Sequence, residues 1–187
     1  HNELPSVNHV HELILNRLEN VDASLSEAAF FHFKTPGKML RAKMAIQSAS
    51  LAEIDISISL LWAGAVEVLH NASLIHDDIC DGDKQRRGRE SIWVKFGRDT
   101  ALTLGDWLIA LSFELASEAA EMSNTPRLVG VLARHMATTT AGQAMEFGWN
   151  STKSWDPASR MLNCIPVISP GVNPEATSSD CLNRYCI

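Results

Sequence analysis

Cysteine is sparse in this 187-residue chain: four residues, Cys80, Cys164, Cys181 and Cys186. They show neither CxxC pairing nor the density of a disulfide scaffold, which excludes a small stapled secreted domain and points to reduced thiols in a cytoplasmic setting. Basic charge is also short. Sixteen Lys and Arg stand against 22 Asp and Glu, a formal net charge of -6 with pI about 5.6, and that balance argues against a nucleic-acid partner. No uninterrupted apolar run reaches the roughly 18 to 20 residues that span a bilayer, so no transmembrane segment is expected. No charged-then-apolar leader opens the chain. It begins at His1 rather than Met, which reads as a trimmed or partial start, and a CaaX box would need its cysteine at position 184, where there is none. Also missing are a hairpin turn signal, sustained apolar-polar alternation and any repeat period.

Helical spacing remains. In "VNHVHELILNRLENV", Val10, Leu13, Ile14, Leu18 and Val21 recur on one helical face. Pro36-Gly37 breaks the chain before "GKMLRAKMAIQSASLA" resumes a helical pattern. From Ile54 to about Ile79 the sequence is apolar around much of its circumference, as a helix inside a helical core would be. "CDGDKQRRGRES" reads as a polar loop punctuated by Gly82 and Gly88. A long helix follows in "GRDTALTLGDWLIALSFELASEAAEM", with Asp99 or Thr100 as its cap. Past "SNTPR", where Ser123 or Asn124 suits a cap and Pro126 the first turn, "LVGVLARHMATTTAGQAMEFGW" supplies another. The expected class is all-α.

Four aspartates (77, 78, 81 and 83) fall within seven positions and are followed at once by Lys84, Arg86, Arg87 and Arg89. At the end of the apolar helix, Asp77 and Asp81 are one turn apart on one face. They repel one another and lie at the negative end of the helix dipole. A divalent cation between them removes both penalties. Mg²⁺ takes one or two carboxylates, waters and diphosphate oxygens, and guanidinium forks such as Arg86 and Arg87 suit a diphosphate. Lys38 and Arg41, behind Pro36-Gly37, form a second patch of that size. The plain alternative is a solvated charged loop. Calcium is a further option, but the EF-hand ligand order is absent.

These residues also carry a resemblance. "HNASLIHDDICDGDKQRRG" resembles the first aspartate-rich motif of the trans-isoprenyl diphosphate synthases, the polyprenyl synthetase family: DDxxD followed shortly by RRG. "TPGKMLRA" is similar to that family's GGKxxR element, with Pro36 for the first glycine and Ala42 for its usual proline. "FGRDTALTLGDWLIALSFELA" and "AGQAMEFGW" resemble its GD and GQ helices. The likeness covers about residues 5 to 158, in the family's order.

The resemblance implies an isoprenoid-synthase-type helical bundle around a central cavity. It implies an enzyme joining an allylic diphosphate to isopentenyl diphosphate with Mg²⁺ as cofactor, acting as a homodimer or heteromer. Asp77 and Asp81 would be the metal ligands, with Asp78 in support. Arg86 would hold the allylic diphosphate, and Lys38, Arg41, His70 and Arg87 the isopentenyl diphosphate. His70, taken alone in an apolar helix, reads more readily as a satisfied core residue. Gln143, on the GQ helix, is a candidate for the pocket wall. Gly105 and Asp106 are assigned to close helix packing, and Trp107, Phe113 and Phe147 to core filling. Small residues one turn before the motif, Ala72 and Ser73, suggest a C20 or longer product.

The pattern stops near residue 158. The family's later Lys-Thr pair and second aspartate-rich motif find no match in 159–187, where three of the seven prolines fall and no helical period runs. This part reads as an irregular tail. The expectation is a family domain over 1–158 joined to an unlike ending. Such a chain is either a prenyltransferase or a non-catalytic relative or subunit that binds prenyl diphosphates or a partner chain, with apolar faces open to that partner.

Overall fold

The computed structural model describes residues 5–151, with side chains to residue 145. It is helical: α1 (Val7–Leu18), α2 (Ala23–Phe33), α3 (Leu40–Leu51), α4 (Ile56–Asp81), α5 (Ile92–Phe96), α6 (Arg98–Met122) and α7 (Arg127–Ser151). A minimal antiparallel hairpin, β1 (Gln85–Arg86) and β2 (Arg89–Glu90), sits between α4 and α5. Compact packing divides the chain into one unit ending at Leu132 and another from Ala133. The first holds α1 to α6, the hairpin and the start of α7; the second continues α7.

In the first unit, α4 and α6 form the central pair, with α1 and α3 against α4 and α5 against α6. Their apolar positions explain this. Leu61, Val68, Leu69, Ala72 and Ile75 of α4 and Leu104, Leu108, Leu111 and Leu115 of α6 are buried, as are Val10, Ile14 and Leu18 of α1. Each full burial of a Leu, Ile or Val stabilises the unit by about 1.5–3 kcal/mol before chain entropy is set against it. Gly64 lets α4 approach its neighbours: a Cβ there would meet Leu13 at 3.3 Å and Leu115 at 3.4 Å. Arg17 of α1 clamps α6 from outside through Glu118, Nη2 donating to Oε2 at 2.6 Å.

Several expectations change. Helix α4 is long and apolar enough to cross a membrane, contrary to the sequence reading, but 61% of the qualifying window is buried inside the protein, as in a soluble core helix. The stretch read as a loop contains the β1–β2 hairpin. Its two turn residues, Arg87 (φ 53°) and Gly88 (φ 74°), both have positive φ, as a two-residue type I′ turn requires. The short α5 and the separate α2 were not anticipated. The α6 cap is Gly97 rather than Asp99 or Thr100, Ser123 closes α6, and Pro126 immediately precedes α7. Trp107 and Phe113 are only half-buried, so neither fills the core. Phe147 and the 159–187 tail lie outside the residues whose side chains are described.

Candidate diphosphate and metal site

Helix α4 ends in Gly82, which takes the left-handed conformation (φ 72°) and gives its N–H to the Asp78 carbonyl. The Asp83 N–H reaches the same carbonyl at 2.9 Å, a Schellman-type stop in which glycine bears no Cβ penalty. The chain is then pinned, because the Asp83 carbonyl accepts from Ser91 Oγ at 2.8 Å and from Trp93 Nε1 at 2.7 Å. This fold-back brings the hairpin arginines over the end and side of α4.

The three motif aspartates have different surroundings. Asp81 is exposed and Asp77 half-buried, whereas Asp78 is buried. Arg86 Nε and Nη2 donate to Asp78 Oδ1 at 2.7 and 2.5 Å, and Nη2 lies 3.9 Å from Asp83. Burial pushes the Asp78 carboxyl above the ordinary carboxylate range, against the pull of Arg86. Burial opposes charge on Arg86 as well, but the Asp78 contact, with Asp83 and Asp77 nearby, holds that guanidinium above its usual range. The ion pair governs, since two short charge-assisted bonds keep the carboxylate ionised near neutrality. Asp78 thus supports Arg86.

Arg87 turns the other way. Its Nη1 donates to the Thr35 carbonyl at 3.0 Å and its Nη2 to Asn71 Oδ1 at 3.2 Å. Gly37 makes room for it: a Cβ at 37 would lie 2.8 Å from Arg87 Nη2. His70 is half-buried and held neutral, its pKa lowered to about 3 by burial and then by the charges of Arg41, Arg87 and Arg86. The structure therefore brings His70, Arg41, Arg86 and Arg87 within electrostatic reach of one another. Lys38 is exposed, in the same loop as Gly37. Gln143 lies on α7 in the second unit. Gly105 and Asp106 keep the structural role expected of them, with a specific partner. His76 occupies the space above Gly105, where a Cβ would come within 2.2 Å of Nε2. That nitrogen is 3.3 Å from the Leu102 carbonyl and 3.7 Å from Asp106.

Three residues escaped the sequence reading, and a fourth, Arg89, was named there only as part of the basic run. His32, Glu67 and Asn71 are buried polar groups, and Arg89 gives Nη2 to the Phe31 carbonyl at 3.0 Å while its guanidinium lies 4.4 Å from the Phe31 ring centre. His32 Nε2 is 3.0 Å from Asn71 Oδ1. Burial lowers its pKa to about 4, with Arg87, Arg86 and Arg89 adding to the effect. An acid and an amide one turn apart inside an apolar helix were the available signal for Glu67 and Asn71. His32 had none, because its partner lies 39 positions away.

Among the described residues no group of three or more His, Cys, Asp or Glu side chains is placed to hold a metal. The donor set at the end of α4 is instead the pair Asp77 and Asp81, both close enough to Cys80 for their charges to raise its pKa, after burial. Two carboxylates fit Mg²⁺ whose remaining positions are filled by water and phosphate oxygens. They do not make a closed protein cage.

The profile of the polyprenyl synthetase family matches residues 22–164. A geranylgeranyl diphosphate synthase of Saccharolobus solfataricus is 35% identical over 148 residues, covering 78% of this chain and 45% of that protein. Heptaprenyl diphosphate synthase component 2 of Geobacillus stearothermophilus is 33% identical over 134 residues, 72% and 41% of the two. The structure of a geranylgeranyl pyrophosphate synthetase from the archaeon Geoglobus acetivorans superposes with TM-score 0.72 at 32% identity, covering 82% of this chain and 51% of that one. The fold is thus that of the helical isoprenyl diphosphate synthases. The chain belongs to the polyprenyl synthetase family, and it spans about half the length of the curated relatives it matches.

Proposed function

We propose that this protein is a Mg²⁺-dependent, cytoplasmic prenyltransferase that condenses isopentenyl diphosphate with an allylic diphosphate to give a longer all-trans product. The observation that carries the reading is that Arg86 links two groups along α4: it feels the charge of Asp77, which with Asp81 flanks Cys80, and with Arg41 and Arg87 it surrounds neutral His70. Asp77 and Asp81 hold the metal, which when bound neutralises and polarises the leaving diphosphate. Arg86, fixed by Asp78, grips the allylic diphosphate. Arg87, Arg41, Lys38 and His70 take the isopentenyl diphosphate. Cations aimed at departing negative charge favour ionisation because they need no reorientation during the step.

A C20 or longer product is favoured by small Ala72 and Ser73 one turn before Asp77 and by relatives whose names specify geranylgeranyl products. A second reading, a subunit that binds prenyl diphosphates and needs a partner chain, is favoured by the relative named as one component of a synthase. Incubating the pure chain with labelled isopentenyl diphosphate, C5 to C15 allylic diphosphates and Mg²⁺ separates the two. The first reading expects Mg²⁺-dependent chain growth from the isolated protein, as a homodimer, and falls if no product forms at any protein concentration. Binding without turnover supports the second.

A further inference from the structure

The segment Thr35 to Ala42, "TPGKMLRA", carries Lys38 and Arg41 and is fastened at both ends. At one end the Thr35 carbonyl accepts from Arg87 Nη1 at 3.0 Å. At the other the Ala42 N–H donates to Glu67 Oε2 at 3.3 Å. The second fastening replaces something the local sequence lacks. Helix α3 starts behind Met39, which is left-handed (φ 46°) and offers no side-chain cap, so the amide of its third residue would otherwise be an orphan donor. Glu67, on the neighbouring helix, supplies the missing acceptor.

The two fastenings are joined through Asn71. Its amide nitrogen lies 2.8 Å from the Glu67 carbonyl and 3.3 Å from Glu67 Oε1. Its amide oxygen faces His32 Nε2 at 3.0 Å and Arg87 Nη2 at 3.2 Å. Two acceptors flank the nitrogen and two donors flank the oxygen, so the amide has one satisfied orientation. The bonds form a closed circuit: Thr35, Arg87, Asn71, Glu67, Ala42 and back along the chain.

We infer that Glu67 and Asn71 are positioning residues that hold Arg87 and the Thr35–Ala42 segment at a fixed separation, so that Arg87, Arg41 and Lys38 converge on one diphosphate. The inference rests on the proposal that these cations bind isopentenyl diphosphate. Converging cations repel, and a buried acid and amide behind them oppose that repulsion without occupying the ligand's place. Preorganisation of this kind raises affinity because the cost of gathering the charges is met in folding, before the ligand arrives.

Calorimetry on the full chain in Mg²⁺, with isopentenyl diphosphate and separately with geranyl diphosphate, tests it. Arg87→Ala is expected to weaken isopentenyl diphosphate binding at least about tenfold, the size of one charge-assisted hydrogen bond. Asn71→Leu and Glu67→Gln are expected to weaken it about fivefold to tenfold while geranyl diphosphate affinity stays within about twofold. In the Arg87→Ala background, Asn71→Leu adds little, because the two act through one contact. Equal loss for both ligands, full additivity with Arg87→Ala, or unchanged binding in both Asn71→Leu and Glu67→Gln would overturn the inference. Should Asn71→Leu fail to fold, Glu67→Gln, which keeps the volume, carries the same readings. An Arg87→Ala protein that binds isopentenyl diphosphate like wild type removes the parent assignment and the inference with it. Weakened Arg87→Ala beside unaltered Asn71 and Glu67 variants removes the inference alone.

Discussion

Gly37 shows how much one absent side chain can matter. The Arg87 guanidinium lies against its Cα face, 2.8 Å from where a Cβ would stand, and is tied to Thr35 and Asn71. Gly37→Ala is therefore expected to displace Arg87 and weaken isopentenyl diphosphate binding about tenfold, while the melting temperature moves little; a calorimetric titration beside a thermal melt checks it, and unchanged affinity rejects it. His32 gives a pH prediction. Its folded pKa is about 4 against 6.5 unfolded, so between those values the unfolded chain binds a proton that the folded one refuses. Stability is then full above about pH 6.5 and declines on acidification towards pH 4, by on the order of 3 kcal/mol for this residue. His70 acts in the same sense. Urea midpoints from pH 7.5 to 4.5 should fall less steeply in His32→Gln; an identical slope contradicts the assignment. At this scale the legible residues were neighbours in sequence: the aspartates, Arg86 and Arg87. Glu67, Asn71 and His32 were not, because their roles arise from contacts between α2, α3, α4 and the hairpin that no local pattern encodes.

Elements were legible where periodicity ran long. Helices α1, α4 and α6 follow from their apolar stripes, since burial of those faces dominates their stability. Helix α2 is apolar on so many sides that its period is blurred, and its cap, Asp22 accepting from the Ser24 N–H at 2.9 Å, is short-range and easily overlooked. The hairpin was hidden because its turn is Arg-Gly, where Asn-Gly or Asp-Gly is the usual signal. An arginine held at φ 53° carries a backbone cost of about 1–2 kcal/mol, offset by the contacts its side chain makes. Gly88, the other turn residue, has φ 74° and open space where a Cβ would go. Gly88→Ala should thus destabilise by about 1 kcal/mol through backbone conformation alone. A urea midpoint unchanged from wild type would show that the turn relaxes freely.

For the molecule as a whole, membership of the polyprenyl synthetase family and the all-α bundle were readable from four motifs in fixed order, and the superposition with the Geoglobus acetivorans protein agrees. The ordered motifs also located the acidic end of α4. What they left out was that Asp78 serves Arg86; with Asp77 and Asp81 assigned to the metal, as proposed above, the acids divide the labour there. That division predicts different outcomes on substitution. Asp77→Asn and Asp81→Asn should each abolish most of the Mg²⁺-linked gain in diphosphate affinity and leave metal-free affinity within about threefold. Asp78→Asn should reduce affinity with or without Mg²⁺, and lower stability by about 1.5–3 kcal/mol, because it removes the counter-charge of the partly buried Arg86. Titrations of inorganic diphosphate with and without Mg²⁺ decide it; equal behaviour of all three variants would refute the division.

Glu67, His70, Asn71, Asp77 and Asp81 all ride on one unbroken helix, and that makes α4 a ruler. At about 1.5 Å per residue, His70 and Asp77 stand about 10 Å apart along its axis and within about 20° of the same azimuth. The spacing between the two proposed substrate stations is thereby written in helical pitch rather than in loop length. A single residue inserted between positions 71 and 77 would swing the acids about 100° away from His70, so the interval can be re-tuned only by whole turns.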